Sequence, residues 1–261
     1  MSRLPSPSRD GFALVTGAGR RLGAAFATAL AEDGWFVRLH YNRSAVEAMD
    51  TAAAIRAKGG RCDLVQAELT AAGAADALLK PDSAARFCSL LVNNASVFSF
   101  DRPDSVTAAA LHENYAVNTM APMVLARAFA AQLPEDRRGL IVNLLDQKLF
   151  NLNPDFFAYT LSKAALGAAN VMLAQALAPR IRVKAIAPGI TLPSADQTEA
   201  EFAVAQATPP LGHGSAPDDL VAALRYLVSA EAMTGQTLVV DGGQNLVPAV
   251  RDVMFTVRGE G

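Results

Sequence analysis

What is scarce in this sequence narrows it first. Two cysteines, Cys62 and Cys88, and three histidines, His40, His112 and His213, are all that 261 residues carry. The cysteines stand singly beside apolar runs, which excludes a disulfide framework and leads us to expect a reduced, cytoplasmic setting. The histidines are scattered, so no metal site is expected. Charged residues are only 18% of the chain and nearly cancel, leaving a formal net charge of −2. The broad basic face that nucleic acid or an anionic membrane would attract is therefore missing. No run approaches the roughly eighteen apolar residues of a membrane span. Residues 1–10 contain basic side chains but no apolar stretch, so they read as a disordered lead-in rather than a secretory leader.

What is present is an alternation. β-rich runs at 12–17, 35–41, 61–69, 89–95, 139–145, 181–189 and 236–243 are separated by Ala-rich helical patterns near 21–33, 45–58, 105–132, 156–178 and 216–229. Continuous apolar strands alternating with helices predict an α/β fold, a parallel sheet of about seven strands covered by helices on both faces. No linker or internal repeat divides the chain. One doubly wound, Rossmann-type domain is expected over 11–246, with 247–261 as a tail for which the pattern offers no role. Residues 190–215, with several Pro, Gly and Ser residues, are the least regular segment and a candidate mobile loop over the pocket.

The first strand runs into "VTGAGRRLGAAFATAL". Gly17, Gly19 and Gly23 permit a tight turn and close backbone approach, and a helix N-terminus offers free N–H groups to a pyrophosphate. The spacing is T-G-x-x-x-R-x-G, with Arg21 where a middle glycine would often stand. A second absence follows. The next strand ends in "HYNRS", without the acidic residue that would hold the ribose 2′-hydroxyl of NAD. Arg43 and Ser44 stand there instead and suit a 2′-phosphate, which points to NADPH. The plain alternative for Arg43 is a solvated surface side chain.

The stretch "NLLDQKLFNLNPDFFAYTLSKAAL" sets Tyr159 and Lys163 one helical turn apart, on one helix face. A phenol titrates near 10 when unperturbed, and a neighbouring ammonium is expected to lower that value. Asp146 directly follows the fifth apolar run and is aimed at the same place. A carboxylate cannot donate to a substrate carbonyl and opposes negative charge growing on oxygen, but it can accept from N–H groups. Phe98 could stack on a flat ring, or simply be a core or lid phenylalanine.

Taken together, these motifs resemble those of the short-chain dehydrogenase/reductase family over roughly residues 10 to 246. The shared features are the glycine motif from Thr16 to Gly23, Asn93-Asn94-Ala95 after the fourth strand, Asn118, Tyr159-x-x-x-Lys163, and Pro188-Gly189 after the sixth. Within the family the sequence is most similar to pteridine reductases and related short-chain dihydromonapterin and dihydrofolate reductases. Arg21, "HYNRS", "NNASVF" and an aspartate where most members carry serine are the features in common.

The resemblance implies a catalytic set of Asp146, Tyr159, Lys163 and Asn118, with Lys163 also holding the nicotinamide ribose and Asn118 ordering a water relay. It implies a cofactor set of Gly17, Gly19, Arg21, Leu22, Gly23, Tyr41, Asn42, Arg43, Ser44, Glu68, Leu69, Asn94, Ala95, Ser96, Tyr159, Lys163, Pro188, Gly189 and Thr191. Glu68 takes the place of the family's usual adenine-contacting Asp. Substrate contacts are implied for Arg21, Ser96, Phe98, Asp146 and Tyr159, and Phe150, Phe156 and Phe157 are candidate walls. The implied activity is NADPH-dependent reduction of a pterin or folate C=N bond by a homotetramer. A reductase of small carbonyl compounds and a non-catalytic NADPH-binding regulator remain the alternatives.

Overall fold

The structure, a computed structural model, describes residues 11–82, 84, 86–194 and 197–259. The lead-in at 1–10 lies outside the described residues. Seven strands form one parallel sheet in the order β3-β2-β1-β4-β5-β6-β7: β1 Gly11–Val15, β2 Phe36–Tyr41, β3 Arg61–Gln66, β4 Phe87–Asn93, β5 Gly139–Leu144, β6 Ile181–Pro188 and β7 Thr237–Val240. Every residue of β1 and β5 is buried, as strands covered on both faces must be.

The helices are α1 Arg21–Glu32, α2 Ala45–Ala57, α3 Ala74–Leu79, α4 Ala108–Tyr115, α5 Ala121–Gln132, α6 Phe157–Leu177, α7 Glu199–Gln206, α8 Pro217–Ser229 and α9 Val253–Val257. Phe26 and Leu30 of α1 and Leu220 and Leu224 of α8 fill one face of the sheet. Leu78 of α3, Phe129 of α5 and Ala174 of α6 fill the other.

The chain winds outward from β1 to β3, then crosses back to place β4 on the other side of β1. That reversal opens a crevice beyond the carboxyl ends of β1 and β4, where a doubly wound sheet binds its ligand. The glycine turn, "NNA", Asp146 and "PG" all follow strand ends on this side.

Two expectations change. The helix expected over 105–132 starts at 108, where Thr107 Oγ1 caps it by accepting from Ala110 N at 3.1 Å. It is also interrupted by a π turn over Ala116–Met120, which carries Asn118. The segment 190–215 is not wholly irregular: it contains α7, closed by a capping box in which Thr198 and Glu201 bond reciprocally. In the tail, for which the pattern offered no role, Val253–Val257 is helical, with Met254 and Phe255 buried against Phe156 and Tyr159.

Candidate active site

The turn after β1 is tightly packed in itself and held from two sides. Gly17 has φ +63°, and a Cβ on Gly23 would sit 2.1 Å from Gly17 O, so neither position tolerates a side chain. Thr16 Oγ1 accepts from Asn94 N at 2.9 Å and Ala95 N at 3.0 Å, while Asn94 Nδ2 donates to Thr16 O at 2.9 Å. "NNA" thus braces the glycine turn from β4. His40 braces it from β2: its Nδ1 accepts from Gly17 N at 3.1 Å and its Nε2 faces Ala67 O at 3.1 Å. Those two contacts require a neutral ring protonated on Nε2, and burial pushes its pKa down accordingly. The sequence reading passed over His40, although it begins the quoted "HYNRS".

Arg21 adopts φ +54°, the left-handed conformation that a glycine would take there without strain. Its guanidinium donates to Pro193 O at 2.8 Å and lines the cleft together with Leu22. Arg43 is exposed beyond β2, and Ser44 Oγ lies 2.7 Å from where a Gly19 Cβ would be. Tyr41 ends β2, and Asn42 Nδ2 donates to Glu68 at 2.5 Å. Burial raises the Glu68 pKa, but bonds from Asn42 and Thr70 and the charge of Arg43 bring it below its ordinary value. Glu68 and Leu69 follow the end of β3 at Gln66. A dinucleotide phosphate fits this end. The N-terminus of α1 has no side-chain cap and no acidic residue in its first turn, and the glycine backbone leaves room for close approach.

At the other end, Tyr159 OH donates to Asp146 Oδ2 at 2.8 Å. Asp146 caps a short 3-10 turn, Gln147–Phe150, by accepting from Lys148 N at 2.9 Å. Lys163 Nζ donates to Leu144 O at 2.7 Å and lies 5.7 Å from the Tyr159 ring centre. The electrostatics correct one expectation. Burial, and then the charge of Asp146, drive the phenol pKa well above its usual value, and Lys163 does not lower it. Burial brings the ammonium of Lys163 itself down to about 8, against the pull of Asp146. Burial likewise raises the carboxyl of Asp146. Tyr159 therefore holds its proton at neutral pH, the state a proton donor requires.

Asn118 is buried behind the cleft wall. Its Oδ1 accepts from Val97 N at 2.9 Å and Ser96 Oγ at 3.0 Å, and its Nδ2 donates to Val97 O and to Ser162 Oγ, each at 3.0 Å. It joins the "NNASVF" loop to α6. Phe98 is 48% exposed, leaving it open to the cleft; it stacks on Phe156 at 4.2 Å and meets Tyr159 edge-on at 4.8 Å.

Arg21, Asn94, Ser96, Phe98, Asp146, Tyr159, Lys163, Pro188, Gly189 and Thr191 surround one cleft of about 340 Å³. Thr191 Oγ1 is fixed by Ser215 Oγ at 2.7 Å. Phe150 and Phe157 do not line the cleft, and Phe156 stands behind Phe98.

Residues that the sequence reading missed complete the wall: Gln147, Lys148, Gln197, Gln244, Asp252, Val253 and Met254. Gln147 and Lys148 lay one and two positions beyond Asp146, inside the quoted stretch. For Asp252 to Met254 no local pattern announced a site.

A glycine turn on a helix N-terminus, joined by one cleft to a Tyr–Lys pair, defines a dinucleotide-dependent oxidoreductase. More particularly, the chain belongs to the short-chain dehydrogenase/reductase family, whose short chain dehydrogenase model matches residues 11–203. A solved structure of FolM alternative dihydrofolate reductase 1 from Brucella canis, complexed with NADP, is 41% identical with a TM-score of 0.86, covering 93% of this chain and 97% of that one. Pteridine reductase 1 of Leishmania tarentolae is 30% identical across 91% of this chain and 97% of its own. 3beta-Hydroxysteroid dehydrogenase 1 of Eggerthella lenta is 34% identical across 90% and 94%.

Proposed function

We propose that this enzyme is an NADPH-dependent reductase of a C=N bond in a pterin or folate. The observation that carries the reading is the 2.8 Å hydrogen bond from Tyr159 OH to Asp146, at the place where most members of the family have serine. A carboxylate there favours a substrate rich in N–H donors and opposes one that builds charge on oxygen. The Oε1 atoms of Gln147 and Gln244, buried without a partner among the described residues, add acceptors in residues that line the cleft. Likeness to FolM alternative dihydrofolate reductase 1 and to pteridine reductase 1 supports the same substrate class.

Arg43 and Ser44 hold the 2′-phosphate, the turn from Gly17 to Gly23 holds the pyrophosphate, and Lys163 orients the nicotinamide ribose. The bound cofactor supplies the hydride. Tyr159 OH gives its proton to the substrate nitrogen, and Asp146, whose raised pKa lets it take up a proton from water, returns one to the phenolate oxygen. Phe98 lies along one face of the ring. Arg21 donates to a ring carbonyl oxygen.

The exposed apolar side chains Leu111, Met120 and Val124 along α4, the π turn and α5, and Leu161 and Met172 on α6, suit the packing of a homotetramer. The free thiols of Cys62 and Cys88 suit a cytoplasmic setting.

The second reading, a reductase of small carbonyl compounds, is favoured by the 34% identity to 3beta-hydroxysteroid dehydrogenase 1. An NADPH-oxidation assay against dihydropterins, dihydrofolate and a carbonyl panel decides between them. Turnover of carbonyls alone overturns the pterin reading, and tight NADPH binding with no turnover of any compound supports the regulator.

A further inference from the structure

We propose that the ion pair between Lys148 and Asp252 is a positioning element of the proton-delivery site, clamping the C-terminal segment 251–258 over the substrate end of the cleft and setting the charge that Asp146 and Tyr159 feel. The proposal rests on the reading of Asp146 and Tyr159 as the proton-delivery pair, and applies to whichever substrate the enzyme reduces.

Lys148 faces both ways. Its backbone N–H donates to Asp146 at 2.9 Å. Its Nζ, on a side chain only 4% exposed, meets Asp252 Oδ2 at 3.0 Å and Asn153 Oδ1 at 2.5 Å. The segment is fixed on either side of that pair. Asp155, fully buried, accepts from Asp252 N at 2.7 Å and from Arg251 Nε at 2.9 Å. Met254 and Phe255 enter the aromatic cluster of Phe156 and Tyr159, and Arg258 Nε donates to Glu201 on α7 at 2.7 Å. What the clamp holds in place is part of the cleft wall: Asp252, Val253 and Met254. Removing one partner of a pair this enclosed leaves the other charge uncompensated.

The groups facing Asp146 come from four directions. The Tyr159 hydroxyl and the Lys163 ammonium approach from α6, the Lys148 backbone N–H from its own turn, the Asp252 carboxylate from the C-terminal segment, and Arg21 from across the cleft. The negative charge of Asp252 pushes both the Asp146 carboxyl and the Tyr159 phenol upward. Lys148 stands against that charge. The two partners should therefore shift the titration of the site in opposite senses, which a purely structural pair would not do.

The test uses the full-length enzyme and the variants Asp252→Asn, Lys148→Met and the double variant. Asparagine keeps the cap at the start of α9. Three quantities are read: carbon-13 NMR titration of the Asp146 carboxyl, amide hydrogen exchange of segment 251–258, and kcat and KM with pH for the best substrate of the panel. We expect Asp252→Asn to lower the Asp146 pKa and Lys148→Met to raise it. The double variant should return the pKa towards wild type while exchange stays fast and KM stays raised, by about tenfold for a displaced wall. NADPH affinity should hold in all three.

An Asp146 pKa that is unmoved, or that moves the same way in both single variants, overturns the charge role. Unchanged exchange and unchanged KM overturn the clamp. Neither NMR nor exchange needs a substrate, so absence of turnover would count against the proposed function without touching this test. If Lys148→Met does not fold, Asp252→Asn against wild type still decides the charge role by the sign of its pKa shift.

Discussion

Replacing Asp146 tests the chemistry most directly. The carboxylate accepts a hydrogen bond from Tyr159 OH at 2.8 Å and caps the following turn through Lys148 N. Serine also caps, so Asp146→Ser should keep the local fold. What it removes is the negative charge. A hydrogen bond to a charged group contributes about 1.5–3 kcal/mol. Losing one such bond to an N–H-rich substrate should lower kcat/KM for a dihydropterin by about 10- to 150-fold, since 1.36 kcal/mol is about tenfold in rate. A carbonyl substrate should respond in the other direction. A carboxylate about 4 Å from a growing alkoxide costs about 4 kcal/mol at an effective dielectric of about 20, and serine can donate to the carbonyl instead. The assay is steady-state NADPH oxidation with one dihydropterin and one ketone, in wild type and variant, with NADPH affinity measured separately and expected to hold. A ratio of the two kcat/KM values that does not move towards the ketone refutes the assigned role of Asp146.

Three further outcomes are expected. Arg43→Asp should weaken NADPH by about 1.5–3 kcal/mol, the scale of a charged hydrogen bond, and NADH far less; equal affinity for NADPH in wild type and variant by titration removes Arg43 from the cofactor site. Tyr159→Phe should leave NADPH binding intact while kcat falls by about 10²–10⁴, the range for a positioned acid, and a parallel loss of cofactor binding would make the tyrosine structural. His40, its pKa lowered by burial, should contribute stability that is complete above the unfolded value of about 6.5 and declines as pH falls below it. Thermal unfolding at pH 7.5 and 5.5 should therefore show a smaller acid-induced loss in His40→Asn than in wild type, and identical losses would contradict the neutral, turn-bracing histidine.

Much of this enzyme was legible in one dimension because its constraints are local. A glycine turn needs residues without Cβ at fixed spacing, and Gly17 and Gly23 stand where φ and contact distance demand them. Tyr159 and Lys163 share a helix face because they are one turn apart, and the strands showed as unbroken apolar runs because both sheet faces are covered. Even α7 had its signal in Thr198-Glu199-Ala200-Glu201, a capping box hidden among Pro and Gly. The π turn at Asn118 had none, because it reflects how Asn118 meets Ser96, Val97 and Ser162 from other elements.

The sequence alone determined the doubly wound class and the family resemblance, and it singled out the residues proposed for proton delivery. Only the tertiary structure decided their state. Lys163 was expected to lower the Tyr159 pKa, yet burial and Asp146 raise it, since desolvation depends on everything packed around a group and not on its neighbours in sequence. The structure alone, too, carried Asp252, more than a hundred positions beyond Asp146, to the wall of the same cleft. No periodicity encodes that approach, because a contact between distant segments is fixed by the packing of the whole fold.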